Sequence, residues 1–153
     1  MRIGLVACCK QKLDHAAPAK DLYQSPMFKF AVQWLLNNKR VTKWGGILSA
    51  KHGLVLPDQV LEPYDLHLSK LSARERKAWE EKVHAQIVNL WGQDTIYLVL
   101  MGADYRSALH GLLVEDPVAC WTQWRRDQGM SGRRASMGIG LILKALKENK
   151  PYY

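Results

Sequence analysis

Between Ser49 and His67 the chain brings together a hydroxyl, an amine, two imidazoles, a phenol and a carboxylate, carried by Ser49, Lys51, His52, Tyr64, Asp65 and His67. This is the set that cleavage of a base from a sugar asks for. The reaction passes through an oxocarbenium-like state, so a carboxylate near the sugar stabilises positive charge or orients a water. The departing base gains negative charge, which a neutral or cationic donor takes up. Asp65 is the candidate carboxylate, and His52, Lys51 or His67 the candidate donor. Lys51 or Lys10 is alternatively a nucleophile towards the sugar, a role that requires a depressed pKa. Reaching a base inside a duplex also requires flipping it out, and Tyr23 or Tyr64 offers a stacking surface for it.

These groups need a scaffold. The apolar run Trp44 to Leu48 reads as a buried strand that stops at Ser49, Lys51 and His52, with Gly53 allowing the turn that follows. Pro57 and Pro63 stiffen the next loop, so Tyr64, Asp65 and His67 sit on a constrained segment. An earlier strand, Ile3 to Ala7, is apolar without alternation, as expected of a central parallel strand, and exits into Cys8, Cys9, Lys10, Gln11 and Lys12. Vicinal Cys8 and Cys9 are expected on opposite faces of that strand, one towards the core and one towards a pocket. Leu13 to Gln24 reads as a loop, and Ser25-Pro26 as the cap and first residue of a helix from Met27 to about Asn37 that packs Phe28, Ala31, Val32 and Leu35 on the sheet. Ser72 with Glu75 forms a capping box for an amphipathic helix reaching Trp91, with Trp79, Val83, Gln86 or Ile87, and Leu90 at helical spacing. Thr95 to Met101 is a third strand, leaving through Gly102, Ala103, Asp104, Tyr105 and Arg106 into a short helix. A weak fourth strand is expected at Val118 to Trp121, and a closing helix at Ala135 to Glu148. Strands alternating with helices imply parallel pairing, which places the polar exits on one sheet edge, where open α/β sheets hold their ligands. Cys9, Lys10, Lys12, Tyr23, Ser25, Ser49, Tyr64 and His67 are therefore the candidate substrate-binding residues.

The 153 residues carry a formal net charge of +8, which favours a polyanionic partner. The excess concentrates late: from Thr122 to Lys150, seven Lys or Arg stand against Asp127 and Glu148. Arg125, Arg126, Arg133 and Arg134, with Trp121, Trp124 and flexible glycines among them, suit phosphate contact and base stacking, so DNA is the expected partner. No apolar run approaches the roughly 18 residues of a membrane span, and Met1-Arg2 lead directly into a strand, so a cytoplasmic protein without membrane contact is expected. Cys8, Cys9 and Cys120 have no metal-ligand spacing, and neither a metal nor another cofactor is expected. Residues 1–153 are read as a single domain, taken as a monomer.

The order Cys9-Lys10-Gln11-Lys12, Asp21-Leu22-Tyr23-Gln24-Ser25-Pro26, Leu48-Ser49-Ala50-Lys51-His52-Gly53-Leu54 and Pro63-Tyr64-Asp65, closed by Gly138-Ile139-Gly140, resembles a family of small bacterial and phage proteins. That family is similar to the DNA-binding peroxide-stress protein YaaA and to the uracil-DNA-glycosylase-like domain of archaeosine synthase. Where that domain has Cys-Ser, this chain has Cys9-Lys10. The resemblance implies a three-layer αβα fold, uracil-DNA-glycosylase-like, with a mostly parallel sheet of about four strands, and work on nucleobases or DNA. Three functions stay open at this point: a glycosylase releasing a base, expected to be a modified one, from DNA; a non-catalytic nucleic-acid-binding module; and a nucleoside or nucleotide hydrolase.

Overall fold

The computed structural model describes residues 1–152. In chain order its elements are β1 (Arg2–Ala7), β2 (Ala17–Pro18), α1 (Ala19–Leu22), α2 (Pro26–Asn37), β3 (Lys43–Ser49), β4 (Gly53–Val55), β5 (Val60–Leu61), α3 (Ala73–Trp91), β6 (Ile96–Leu100), α4 (Ala103–Arg106), β7 (Leu113–Glu115), α5 (Pro117–Asp127) and α6 (Ile139–Lys147). Five strands form one sheet in the order β4-β3-β1-β6-β7, parallel except where β4 turns back antiparallel on β3. β2 and β5 make a separate antiparallel pair.

The three apolar runs form the middle of the sheet because both of its faces are covered. Val6, Ile47, Leu98 and Leu100 point into a core with Phe28, Trp34 and Leu35 of α2, Trp121 of α5 and Leu146 of α6. Ile3, Leu5, Leu48, Tyr97 and Val99 point the other way, onto Trp79, Val83 and Ile87 of α3 and Tyr105 of α4. An alternating strand would have left one face to water; a continuous apolar one fills both.

Five expectations from the sequence need correction. Val118 to Trp121 is not a strand: Asp116 accepts from the amides of Val118 and Ala119 and Pro117 takes the first position, so the segment starts helix α5. The fourth parallel strand is β7, whose three residues are too few to show a pattern. The sheet has five strands instead of about four, since β4 follows the Gly53 turn at φ +75°. Helix α6 begins at Ile139, past the glycine that caps it, and not at Ala135. Leu90, at helical spacing in α3, is exposed. Leu13 to Gln24 is only partly loop, as β2 and α1 lie within it.

Two groups of contacts tie distant elements. Trp79 Nε1 donates to the Ser49 carbonyl at 2.8 Å, and the Leu54 amide donates to Gln86 Oε1 at 2.9 Å, so α3 pins the β3–β4 turn. At the far edge, Glu115 of β7 accepts from Arg2 Nε of β1 at 3.2 Å and from the Tyr152 hydroxyl, with the Arg40 guanidinium at 3.9 Å. Those partners hold its carboxyl below the usual range although burial alone would raise it.

Candidate functional site at the carboxyl edge of the sheet

β1, β3 and β6 end side by side in Cys8-Cys9-Lys10, Ser49 and Met101-Gly102. From β1 the chain proceeds to α2 on one face, and from β6 to α4 on the other, so a crevice opens between adjacent strand ends. It is a cleft of about 400 Å³ lined by Cys8, Cys9, Lys10 and Lys12 from the β1 exit, by Asp65 to Lys70 in part, and by Tyr105.

The segment carrying Asp65 is held by its neighbour Tyr64. Ser49 is fully buried, and its Oγ accepts from the amides of Lys51 at 3.3 Å and His52 at 3.1 Å. Both lone pairs are thereby taken, so the Ser49 hydroxyl donates to the Tyr64 phenol oxygen at 2.6 Å. A second phenol, that of Tyr23, lies 2.6 Å from the first. Burial pushes the Tyr23 pKa up to about 12, and burial together with the neighbouring Cys8 raises that of Tyr64 as well, so both phenols stay protonated at neutral pH. The serine and the two tyrosines are a neutral tether, not a reservoir of anions.

Around the Tyr64 ring stand Lys12 Nζ at 4.4 Å, Lys51 Nζ at 5.8 Å and the His52 ring, edge-on at 5.2 Å. Burial first, then Lys51 and Lys82, lowers the His52 pKa, so its imidazole is neutral near pH 7. Lys51 is exposed. Both touch Tyr64 without lining the cleft.

Within the cleft, His67 Nδ1 accepts the Ser69 amide at 3.1 Å, a donor that cannot reverse. The neutral ring therefore carries its proton on Nε2. Asp65 is exposed and, among the described residues, makes no ion pair. Tyr105, which sequence reasoning did not single out, packs edge-to-face on Trp79 and His67 with its hydroxyl 3.4 Å from Cys8 Sγ. Its signal was the polar exit Gly102 to Arg106, read as an exit without a residue being chosen. Lys70 and Cys8 also join the cleft. Cys8 and Cys9 do not divide between core and pocket, since both are half-buried and both line the cleft.

The remaining candidates lie elsewhere. Ser25 Oγ accepts from the Phe28 amide at 3.1 Å and caps α2. Arg125 Nε donates to the Arg134 carbonyl at 2.9 Å, and Arg133 and Arg134 are exposed on the turn Gly132–Arg134. Trp121 is core, 1% exposed, and so offers no stacking face, whereas Trp124 is half exposed under Lys150 Nζ. Arg126 lines a different, mainly apolar cavity of about 530 Å³ at the end of β6, with Met27, Met101, Ile142 and the Arg106–Asp116 ion pair. No cluster of three or more His, Cys, Asp or Glu suited to a metal occurs among the described residues, and no helix there is long and apolar enough to cross a membrane.

Fold and site together define a small α/β protein with a lysine-rich cleft at the carboxyl edge of its sheet. A family model described as Family of unknown function (DUF6884) matches residues 3–126, and the chain belongs to that family. The matched segment includes every residue of the cleft and ends before Arg133 and Arg134. No curated protein matches the chain. No solved structure matches it either.

Proposed function

We propose that the protein is a DNA glycosylase of uracil-DNA-glycosylase-like fold, working in the cytoplasm, that releases a base, a modified one, from DNA. The observation that carries this reading is the meeting of Asp65 with Lys10, Lys12, Lys70 and His67 in one cleft. Asp65 supplies the anion that an oxocarbenium-like sugar needs, and the Nε2–H of His67 is a donor for the departing base. The lysines hold phosphate, and Tyr105 gives the cleft an aromatic wall. Lys51 and His52 act through Tyr64, which they contact, and not on the sugar.

The test is incubation with normal and hypermodified phage DNAs, followed by mass spectrometry of released bases and an assay for abasic sites. Release of one base class with matching abasic sites supports the reading. Binding without release makes the protein a nucleic-acid-binding module.

A second reading has its own observation. None of the four arginines lines the lysine cleft, so a free nucleotide fills it without their help, as a nucleotide hydrolase would require. Release of base from mononucleotides but not from DNA selects that reading.

A further inference from the structure

We infer that Lys12 is a prebuilt anchor for a phosphate ester, and that the ligand of the cleft is a nucleotide or nucleic-acid segment held there by its phosphate. The inference rests on the cleft being the substrate site proposed above, and it is independent of whether a glycosidic bond is cut.

The backbone at Lys12 is fixed from both sides. Lys12 bridges to Tyr23, the Leu13 amide donates to the Leu22 carbonyl at 2.9 Å, and the Gln24 amide donates to the Gln11 carbonyl at 2.8 Å. From that base the half-buried side chain turns back, and its ammonium donates to the carbonyls of Cys9 at 2.7 Å and Lys10 at 3.3 Å. The Tyr64 face lies 4.4 Å away and the Tyr23 face 5.7 Å away. Carbonyl oxygens and aromatic faces hold the ammonium in place, so Lys12 is suited to attract an anion.

An ammonium has three N–H groups, and two are directed at carbonyls. Among the described residues, no carboxylate lies within ion-pair distance of Lys12. A half-buried cation with a spare donor and no counter-ion is open to an anionic ligand. The charge of the cleft sets the kind of anion. The ammonium groups of Lys10, Lys12 and Lys70 face a single carboxylate, Asp65, and leave two positive charges among these four side chains. A phosphate group, at about −1 as a diester or up to about −2 as a monoester, matches that excess. Asp65 then remains free for the sugar.

The experiment is calorimetry on the full chain with inorganic phosphate, thymidine, thymidine 5′-monophosphate and a short oligothymidylate. The mononucleotide or the oligomer should bind at least about ten-fold more tightly than thymidine, the scale of one charge-assisted hydrogen bond. Preference for the mononucleotide identifies a monoester ligand; preference for the oligomer identifies the nucleic-acid backbone. Folded Lys12→Gln should remove the advantage of the phosphate-bearing probes. Tyr64 is a positioning residue: folded Tyr64→Leu should lose the same ratio, whereas Tyr64→Phe, which keeps the aromatic face, should retain most of it. Equal binding of thymidine and the phosphate-bearing probes, an unchanged ratio in Lys12→Gln or folded Tyr64→Leu, or no binding of any phosphate probe overturns the inference. Base release without phosphate preference would remove the anchor and leave the glycosylase. Phosphate-dependent binding without base release does the reverse.

Discussion

Ser49 holds more of the site than any titratable group does. Its hydroxyl takes two amides and supports Tyr64, and its carbonyl takes the Trp79 indole. Ser49→Ala leaves those amides and a buried phenol short of a partner, and should cost about 1–3 kcal/mol in denaturant unfolding. Asp65 stands in the opposite position: it is exposed, so under the proposed glycosylase reading its removal should bear on turnover and not on folding. Asp65→Asn should leave DNA binding nearly intact, or tighten it by removing repulsion with phosphate, while base release falls by roughly two orders of magnitude. Full release by the Asn variant would strike Asp65 from the chemistry. His52 gives a pH signature. The fold depresses its pKa below 6.5, so as the pH drops through that value the unfolded chain takes up a proton first and stability declines. His52→Gln should flatten that decline, as read by melting temperature across the acid range.

At the scale of elements, the β3–β4 turn sets what the exits can present. A Cβ on Gly46 would lie 2.4 Å from the Val55 carbonyl oxygen, inside the pairing of β3 with β4. Gly46→Ala should therefore destabilise by about 1–3 kcal/mol and weaken ligand binding as Ser49 shifts, both measurable by titration and melting. The central strands were legible because the runs at Ile3, Trp44 and Thr95 are long, unbroken and closed by polar residues. Their shared edge followed from alternation with helices, and so Cys9, Lys10, Lys12, Asp65 and His67 could be gathered as neighbours. β7 was not legible, because three residues cannot establish a period and the apolar residues of Val118 to Trp121 look like a strand until Asp116-Pro117 is weighed as a helix start. Nor was the tether from Ser49 through Tyr64 to Tyr23, which joins positions 41 residues apart and depends on where side chains meet. Ser25 stood among the candidate binding residues, although its hydroxyl serves the α2 amide it caps.

For the whole molecule, charge and architecture lie in different places. The cleft sits at one sheet edge, and the arginine-rich segment runs through α5 and the turn Gly132–Arg134, partly beyond the family match. If that segment contacts DNA phosphates around a cleft-bound nucleotide, affinity should fall steeply with salt, and Arg133→Ala with Arg134→Ala should flatten the slope by about one to two units. An unchanged slope removes both arginines from the interface.

Glu115 joins three parts of the chain that are remote in sequence: the start of β1, the short edge strand and the segment ending at Tyr152. One carboxylate with several holders is a latch. The amides of β7 and those near residues 145–152 should therefore open as one cooperative unit in hydrogen exchange, with matched protection. Glu115→Gln should release them together while β1, β3 and the cleft keep theirs, so the edge frays before the working end of the molecule does.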